Sequence, residues 1–393
     1  MSKKKKQVKE DTVDKKKRQL ERIEEISQKL FGKPSTEIKF LLMTNYIHQQ
    51  LLDEDVTRTG LYQWLNVFNG DVKYPRDVLD YSKYDIIQVN MSPQDLPLIQ
   101  RVRKELGKNS KTKLVINNDF TEELWGTSYE FPEVLEKLLE DADMIFGTEY
   151  NQASGLSELA QRRVYVIPHP ADIKRLKAIS PIPKKDIIST IWRRYDRFSY
   201  VPSLVVRNHG LTTQLIGYDK DKDPKVYMTT ALYDYVLAGT NYFEFCDQLR
   251  ESKIVYDPFT FTSYSRTTVD TAALGIPVVG TDRTQSMQIC YPYTCVSPYD
   301  VAKSRKLIER VMNDEEFRDL VIATAKRNCE FYNHVNSRER YLVALHDSLF
   351  GKKDKTPKKN RKKLTKGVGD DVLTLQQKAI NRPASNKNGK KKN

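Results

Sequence analysis

The sequence predicts an α/β protein of two domains, each built on a parallel sheet, that face each other across a central cleft and carry disordered basic tails. The chain has 393 residues, enough for two or three domains of ordinary size. Hydrophobic residues make up 39% of it, which suffices to fill their cores. Short apolar runs alternate with helical segments, a pattern typical of parallel sheets buried on both faces.

The net charge of +14 lies in the two ends of the chain. Residues 1–18 carry +6 and residues 351–393 carry +12, so the body between them is mildly acidic, at −4. Lysine-rich segments cannot bury enough apolar surface to fold, and we expect both ends to be disordered.

Composition also narrows the class of protein. No run approaches the roughly 20 apolar residues of a membrane span, and the N-terminal lysines lack the apolar core of a signal peptide. Both observations argue against a secreted or integral membrane protein. The cysteines share no metal-ligand spacing and are too few for a disulfide scaffold, which fits a reducing cytoplasm. They are Cys246, Cys290, Cys295 and Cys329.

The first predicted domain spans residues 19–168. It opens with a short amphipathic helix whose apolar stripe contains Leu20, Ile23, Ile26 and Leu30. Helices are then expected between most of the strands, as at Gln94–Leu106 and Pro132–Glu140. The apolar runs that predict strands are Ile38–Met43, Asp85–Val89, Lys113–Ile116, Met144–Phe146 and Val164–Ile167.

A predicted hinge at residues 169–185 is marked by Pro170, Pro181 and Pro183 and by Pro168 directly before it, and the second predicted domain follows at residues 186–350. Its expected strands are Ile187–Trp192, Gln214–Gly217, Val226–Met228, Ile254–Tyr256 and Pro277–Val279. Its expected helices are Phe198–Val206, Phe243–Ser252, Thr267–Ala273, Tyr299–Met312, Glu315–Phe331 and Ser337–Leu349. Ligands of such folds bind outside the carboxyl ends of the parallel strands.

The most informative stretch is Ser263–Gly280, which predicts a polar loop, a short helix, a tight glycine turn and a buried strand. The start of that helix presents backbone N–H groups and a positive dipole end, which suit a phosphate. Near the cleft, Asp270 can accept hydrogen bonds from vicinal hydroxyls such as those of a ribose. A structural interpretation is also open: Asp270 packs against the turn, while Ala272 and Gly275 allow close helix–strand contact.

This stretch resembles the donor-binding element of the retaining glycosyltransferases of the GT-B fold, the large family-four type. The pattern of that family is E-x-F-G-x-x-x-x-E-A-x-x-x-G-x-P-V-V. Asp270 stands at the second glutamate, which holds the nucleotide ribose in the family. Ala272, one place late, Gly275 and the run Pro277-Val278-Val279 complete the match.

Other segments carry the same resemblance in the same order. Val164–Asp172 resembles the family's hinge, the strand ending in Gly217 resembles one of its donor-domain strands, and Val296–Leu345 resembles its C-terminal helices. The resemblance implies a Rossmann-like acceptor domain at residues 19–168 and a Rossmann-like nucleotide-sugar donor domain at 186–350. The donor would lie against Gly217 and against Thr262, Ser263, Tyr264, Ser265, Arg266, Thr267 and Asp270.

The chain also departs from the family's pattern. Thr262 stands in place of the first glutamate, which contacts the donor sugar, and this leaves open a sugar other than the usual hexose, or a scaffold without activity. Tyr264-Ser265 replaces the F-G pair. The glycine-rich loop expected after the first strand is missing, and Arg58-Thr59-Gly60 is its nearest substitute.

A cluster of arginines directly follows a predicted strand, with Arg193 and Arg197 as the strongest candidates. In the resembling family an arginine and a lysine near this place clamp the donor diphosphate. Fixed cations there stabilise charge that develops on the leaving phosphate, so no metal ion or other cofactor is required. The alternative is an exposed basic turn.

In the first domain, Asn118 and Asp119 end a predicted strand at the cleft and could bind donor or acceptor. Both residue types also cap helices, which is the favoured interpretation. His48 is a further polar candidate at the cleft, as is His169 in the hinge, although a single histidine is more often structural. The acidic alternation Asp219–Asp223 lacks the glycine and glutamate of an EF-hand, so a solvated turn is favoured over a metal site.

The basic tails favour a polyanion partner. They could neutralise phosphates of a nucleic acid, but they lack aromatic residues to stack on bases, so they would tether and not read sequence. Alternatives are adhesion to an anionic membrane leaflet or simple solubility.

Together these observations predict a cytoplasmic glycosyltransferase (in the host cytoplasm if the protein is viral) that uses a nucleotide-sugar with retention of configuration. Arg193, Arg197 and Asp270 are the predicted catalytic residues, and Arg58, His48, Asn118 and Asp119 the predicted acceptor or cleft residues. A hydroxymethylated DNA base is the acceptor that the tails favour. Other acceptors (protein, lipid or wall polymer) and a non-catalytic binding protein remain open.

Overall fold

The computed structural model describes residues 3–44, 60–78, 80–90, 96–107, 110–118, 142–160, 162–191, 201–218, 232–238 and 241–351. They belong to one compact unit, Met1–Gly351. Two parallel sheets of six strands each form its framework, which confirms the predicted fold class of two α/β halves.

Six strands form the first sheet: β1 (Phe40–Met43), β2 (Asp71–Lys73), β3 (Ile86–Asn90), β4 (Lys113–Asn118), β5 (Met144–Gly147) and β6 (Tyr165–Val166). They pair in parallel in the order β2-β1-β3-β4-β5-β6. All four residues of β1 and of β5 are buried, because helices cover both faces of the sheet.

The second sheet contains β7 (Ile187–Ile191), β8 (Thr212–Tyr218), β9 (Tyr235–Ala238), β10 (Ile254–Asp257), β11 (Val278–Thr281) and β12 (Cys295–Val296). The order is β12-β11-β10-β7-β8-β9, again all parallel. This is the strand order of doubly wound nucleotide-binding sheets, whose order reverses here between β7 and β10. In the first sheet the order reverses between β1 and β3. At each reversal the carboxyl ends of two strands border a crevice.

The helices of the described residues are α1 (Lys3–Phe31), α2 (Gln63–Phe68), α3 (Leu96–Leu106), α4 (Tyr150–Ala160), α5 (Ile173–Ala178), α6 (Val201–Val206), α7 (Tyr242–Glu251), α8 (Arg266–Leu274), α9 (Gln285–Cys290), α10 (Val301–Asn313), α11 (Glu315–Asn328) and α12 (His334–Phe350). None of them is both long enough and apolar enough to cross a bilayer.

The sequence predicts the central strands to within two residues but not the strands β2, β9 and β12. All three lie at sheet edges. The strands β2 and β12 are only three and two residues long, too short to show the apolar run that marks a buried strand, whereas β9 is such a run (Tyr-Val-Leu-Ala) and is missed. On β9, Tyr235 is 59% exposed and Val236 is 38% exposed. The predicted helix Pro132–Glu140, the predicted strand Val226–Met228 and the predicted C-terminal tail (residues 352–393) lie outside the described residues.

The structure differs from the expected disorder at the N-terminus, because α1 begins at Lys3. Lysine and arginine are good helix formers, and a helix propagates easily from a segment that is already docked. Docking starts at Gln19, whose amide donates to Asn336 and Glu339 at 2.6 Å each. Directly before Gln19 the helix is open to solvent, as the 66% exposure of Val13 shows. The basic segment is therefore a helical extension of a docked element.

The two faces of the first sheet bury separate cores. Leu41 and Met43 point into one core, and Phe40 and Leu42 point into the other, as alternation along β1 requires. The second sheet has a third core of its own.

The last helix, α12, packs on the first sheet although the chain reaches it from the second. The Tyr341 ring lies 5.0 Å from that of Trp64, 5.2 Å from that of Phe68 and 5.7 Å from that of Phe146. The predicted domain boundaries stay predictions, but by its contacts α12 completes the core of the first half.

Candidate functional site

Asp257 ends β10 at the crevice of the second sheet and is 1% exposed. One of its carboxylate oxygens accepts hydrogen bonds from the hydroxyls of Ser265 and Thr268, both at 2.8 Å. Hydrogen bonds to a charged acceptor are stronger than neutral ones. The carboxylate therefore holds the loop 258–265 and the start of α8 against the end of the strand.

The start of α8 lies against the carboxyl end of β10, where Asp257 binds it. Ser265 is the N-cap residue, but its side chain makes no capping bond and donates to Asp257 instead. The helix ends at Gly275, whose φ of +73° lies in the left-handed region that glycine tolerates. The loop, helix and tight glycine turn predicted for this stretch are therefore confirmed.

Asp270 lies on α8 and is 1% exposed. Its carboxylate accepts a hydrogen bond from Arg266 Nε at 2.6 Å, four residues earlier on the same helix. The guanidinium also reaches the carbonyl oxygen of Pro170 at 3.3 Å and the hydroxyl of Tyr242 at 3.4 Å. Burial alone would lower the pKa of Arg266, but the Asp270 carboxylate more than offsets this and the pKa is raised. Arg266 is therefore charged at neutral pH.

His169 lies at the start of the predicted hinge, contacts both halves and is 2% exposed. Trp64 of the first half donates from Nε1 to His169 Nδ1 at 3.1 Å. The ring of Tyr264, from the loop before α8, meets the His169 ring edge-on at 5.6 Å. A Cβ at Gly60 would lie 2.4 Å from His169 Cβ, so this position requires a glycine. The histidine is a structural link between the halves, as the sequence favours.

A cleft of about 420 Å³ opens between the two halves. The first half contributes Glu149, Tyr150 and Asn151, which follow the carboxyl end of β5. The second half contributes residues that follow the carboxyl ends of β10, β11 and β12: Thr262, Asp282, Arg283, Gln285, Gln288 and Ser297. The carboxyl edges of both sheets thus border one space, and the predicted Thr262 lies on its wall.

Two charged side chains of this cleft, Glu149 and Arg283, differ in whether they have a partner. Glu149 is 3% exposed and accepts hydrogen bonds from the backbone N–H groups of Asn151 and Gln152, so it caps α4. Arg283 is exposed, and within the part of the chain that the structure describes its guanidinium has no ion pair or hydrogen bond. A cation without a partner on the wall of a cleft is available to an anionic ligand.

The carboxyl edge of the first sheet is lined with amides. Asn118 ends β4 and is 1% exposed, and Asn117 donates to Asn90 at 3.0 Å. Gln88 is fully buried, and neither of its amide atoms has a hydrogen-bond partner among the described residues. The segment that follows Asn118 lies outside those residues, so its predicted capping role stays a prediction.

The structure assigns local roles to the remaining described candidates. Gly217 has a φ of +87° and lies at an irregularity in the pairing of β8 with β9, which accounts for a glycine there. Ser263 pairs with Thr284 in an isolated bridge, and Thr267 is 8% exposed on the first turn of α8. The other candidates, Arg193, Arg197, Arg58, Asp119 and His48, lie outside the described residues.

Sequence reasoning missed Glu149 and Arg283. Both follow a buried strand by two residues, in Gly147-Thr148-Glu149 and Thr281-Asp282-Arg283. The rule that polar residues after parallel strands gather at one edge, applied to Asn118, would have found them.

Solved structures of the same architecture include the UDP-glucose complex of HepE (Alr3699) from Anabaena. It is 12% identical to this chain, with a TM-score of 0.58 over 80% of this chain and 100% of that one. Sucrose-phosphate synthase from Thermosynechococcus elongatus is 12% identical, with a TM-score of 0.59 over 80% and 99%. An α-glucosyltransferase solved with UDP and a 13-mer DNA containing an HMU base is 14% identical, with a TM-score of 0.51 over 75% and 95%.

No protein-family model matches the sequence, and no curated protein matches it significantly. Likeness at 12–14% identity establishes the fold. The two parallel six-stranded sheets that border a common cleft are those of the GT-B fold.

Proposed function

We propose that this protein is a glycosyltransferase that moves a sugar from a nucleotide-sugar to an acceptor hydroxyl in the cleft between its two sheets. The observation that carries the proposal is that cleft, which polar residues from the carboxyl edges of both sheets line. Structures of the same fold hold UDP or UDP-glucose.

The donor diphosphate is assigned to the start of α8, where the N–H groups of Ser265 to Thr268 and the helix dipole suit a phosphate. Arg193 and Arg197 are assigned as the cations that stabilise the leaving diphosphate. Asp270 is assigned to the ribose hydroxyls, and Arg266 pairs with it at 2.6 Å. Thr262 would face the sugar from the wall of the cleft.

The proposed reaction retains the configuration of the sugar and needs no metal ion. The bond between the anomeric carbon and the diphosphate oxygen breaks, and the acceptor oxygen bonds that carbon from the same face. The acceptor proton passes to the departing phosphate, so no protein base is required. Closure of the two halves would exclude water and limit hydrolysis of the donor.

Binding of the donor is tested by a thermal-shift screen of UDP, UDP-glucose and other nucleotide-sugars. A ligand at 100 times its Kd stabilises the folded protein by about 2.7 kcal/mol, so the right donor raises the Tm.

Replacement of Arg283 by alanine should reduce transfer of labelled sugar at least tenfold if the cation contacts donor or acceptor. The control is Arg101→Ala, which removes an exposed arginine of α3 that pairs with Glu105. A donor that binds without any transfer would favour a non-catalytic binding protein.

For the acceptor we propose a hydroxymethylated base in DNA. Supporting observations are the basic ends of the chain and the DNA held by one structure of this fold. Such an enzyme has to expose or flip its target base. The test compares transfer of labelled sugar to hydroxymethylated and to plain duplex DNA. No transfer to either, with sedimentation on anionic liposomes, would favour a lipid or wall-polymer acceptor.

A further inference from the structure

Arg266 lies where the start of α8 meets the hinge, and its guanidinium reaches three separate parts of the chain. It donates to Asp270 on its own helix at 2.6 Å, to the carbonyl oxygen of Pro170 in the hinge at 3.3 Å and to the hydroxyl of Tyr242 on α7 at 3.4 Å. The Tyr242 ring also lies 5.9 Å from the guanidinium carbon. The Arg266 side chain therefore makes direct contacts with α7, with its own helix α8 and with the hinge.

The contact of Arg266 with the hinge continues into the first half. Pro170 follows His169, which accepts the hydrogen bond of Trp64 in α2. On the other side, the N–H of Ala171 donates to the carbonyl oxygen of Tyr332 at 2.8 Å. A short series of direct contacts thus leads from α8 through Arg266 and the hinge to the core of the first half.

The pair formed by Arg266 and Asp270 is buried, with side chains 10% and 1% exposed. Burial of two charges is costly, and apolar residues of similar volume often stabilise a fold as well or better. What a charged pair adds is a defined geometry. The planar fork of arginine suits this role, because it can hold a carboxylate and two further acceptors in fixed directions, as an ammonium group cannot.

We propose that Arg266 is a positioning residue that couples α8 to the hinge, so that the donor-binding helix and the angle between the two halves move together. The inference rests on the proposed function only in naming α8 as the donor-binding helix. The mechanical coupling itself follows from the contacts of Arg266 with Pro170, Tyr242 and Asp270.

The test measures the distance between the two halves directly. Spin labels are attached at two exposed positions, by Lys104→Cys on α3 and Lys306→Cys on α10. Cys295 is changed to serine, because the other three cysteines are buried. Distance distributions are recorded by pulsed electron resonance, with and without UDP, for the parent protein, for Arg266→Lys and for the matched control Arg101→Lys. Calorimetry gives the Kd of UDP for each.

Lysine at residue 266 retains the charge beside Asp270 but cannot reach Pro170 and Tyr242 at the same time. We expect Arg266→Lys to at least double the width of the distance distribution without ligand, while Arg101→Lys leaves it unchanged. We also expect that UDP no longer narrows the distance distribution in Arg266→Lys, as it does in the parent protein. A distribution as narrow as that of the parent, or an equal broadening in the control, overturns the proposal.

Failure of the proposed function has a different result. UDP would then bind neither the parent nor the variants, while the distances without ligand would still decide whether Arg266 couples α8 to the hinge. A general loss of folding in Arg266→Lys would lower its Tm by more than 10 °C and abolish defined distances, and that would also contradict a positioning role.

Discussion

Among single residues, Asp257 has the clearest structural role, since one oxygen of its buried carboxylate accepts hydrogen bonds from both Ser265 and Thr268 at the start of α8. We predict that Thr268→Ala lowers the free energy of unfolding by about 1.5–3 kcal/mol, because a hydrogen bond to a carboxylate is lost. Urea denaturation measures this. The neighbouring Thr267→Ala is the control, since no hydrogen bond from its hydroxyl occurs among the described residues. Equal losses in the two variants would contradict the assignment to Asp257.

His334 begins α12 and makes the free energy of unfolding depend on pH. Its Nε2 lies 2.9 Å from Gln63 Oε1, and burial lowers its pKa, with Arg266 and Arg338 acting in the same direction and Asp172 opposing them. The pKa of His334 in the folded protein lies below the ordinary value of 6.5. As the pH falls, the unfolded chain therefore takes up a proton at this residue before the folded protein does. Stability is therefore retained above about pH 6.5 and falls as the pH drops toward the folded pKa.

The pH dependence of His334 is tested with His334→Gln, whose amide can still donate to Gln63. We predict that the free energy of unfolding decreases less between pH 7.5 and 5.5 in this variant than in the parent. Denaturation curves at pH 5.5, 6.5 and 7.5 give the comparison. Parallel pH profiles would assign the dependence to other groups.

Among the elements, α12 joins the two halves, because it leaves the second half and completes a core of the first. We predict that Tyr341→Ala costs about 3–5 kcal/mol through the cavity it creates beside Trp64, Phe68 and Phe146. The matched control is Tyr341→Phe. Within the described part of the chain the Tyr341 hydroxyl is buried without a partner, so its removal should be neutral or stabilising.

Tryptophan fluorescence of Tyr341→Ala tests the placement of α12. Trp64 packs directly against residue 341, so the emission should shift to longer wavelength in the alanine variant and stay unchanged in Tyr341→Phe. An alanine variant that loses stability with unchanged emission would place the lost packing elsewhere.

For the whole molecule, the division of charge separates folding from polyanion binding. Among the described residues, the three hydrophobic cores are built from residues between 23 and 349, while residues 351–393 carry 15 of the Lys and Arg residues. We predict that a chain ending at Gly351 keeps its free energy of unfolding to within about 0.5 kcal/mol. Its affinity for duplex DNA should become less sensitive to salt, because fewer counterions are released.

Filter binding at a series of salt concentrations measures this dependence for both chains. An unchanged slope of log affinity against log salt would rule out the C-terminal segment as a tether. A large loss of stability would mean that this segment contributes to the fold.

Much of the fold was open to prediction from residue pattern. Buried strands such as β3, β4 and β10 appear as apolar runs because both their faces are covered, and α8 is bounded by Ser265 and Gly275. The short edge strands β2 and β12 carry no such run. The helical state of residues 3–18 depends on docking of Gln19 against α12, which no local pattern reveals.

By itself the sequence determined the central strands, the two α/β halves, and the loop, helix and turn that place Asp270, because these depend on local periodicity and on turn residues. Only the tertiary structure decided what Asp270 and Arg266 contact, that α12 returns to the first core, and that Glu149 and Arg283 share a cleft. Those outcomes depend on residues far apart in the chain that meet only when both sheets are assembled. Position after a strand can mark such residues as candidates, but it does not say which of them meet.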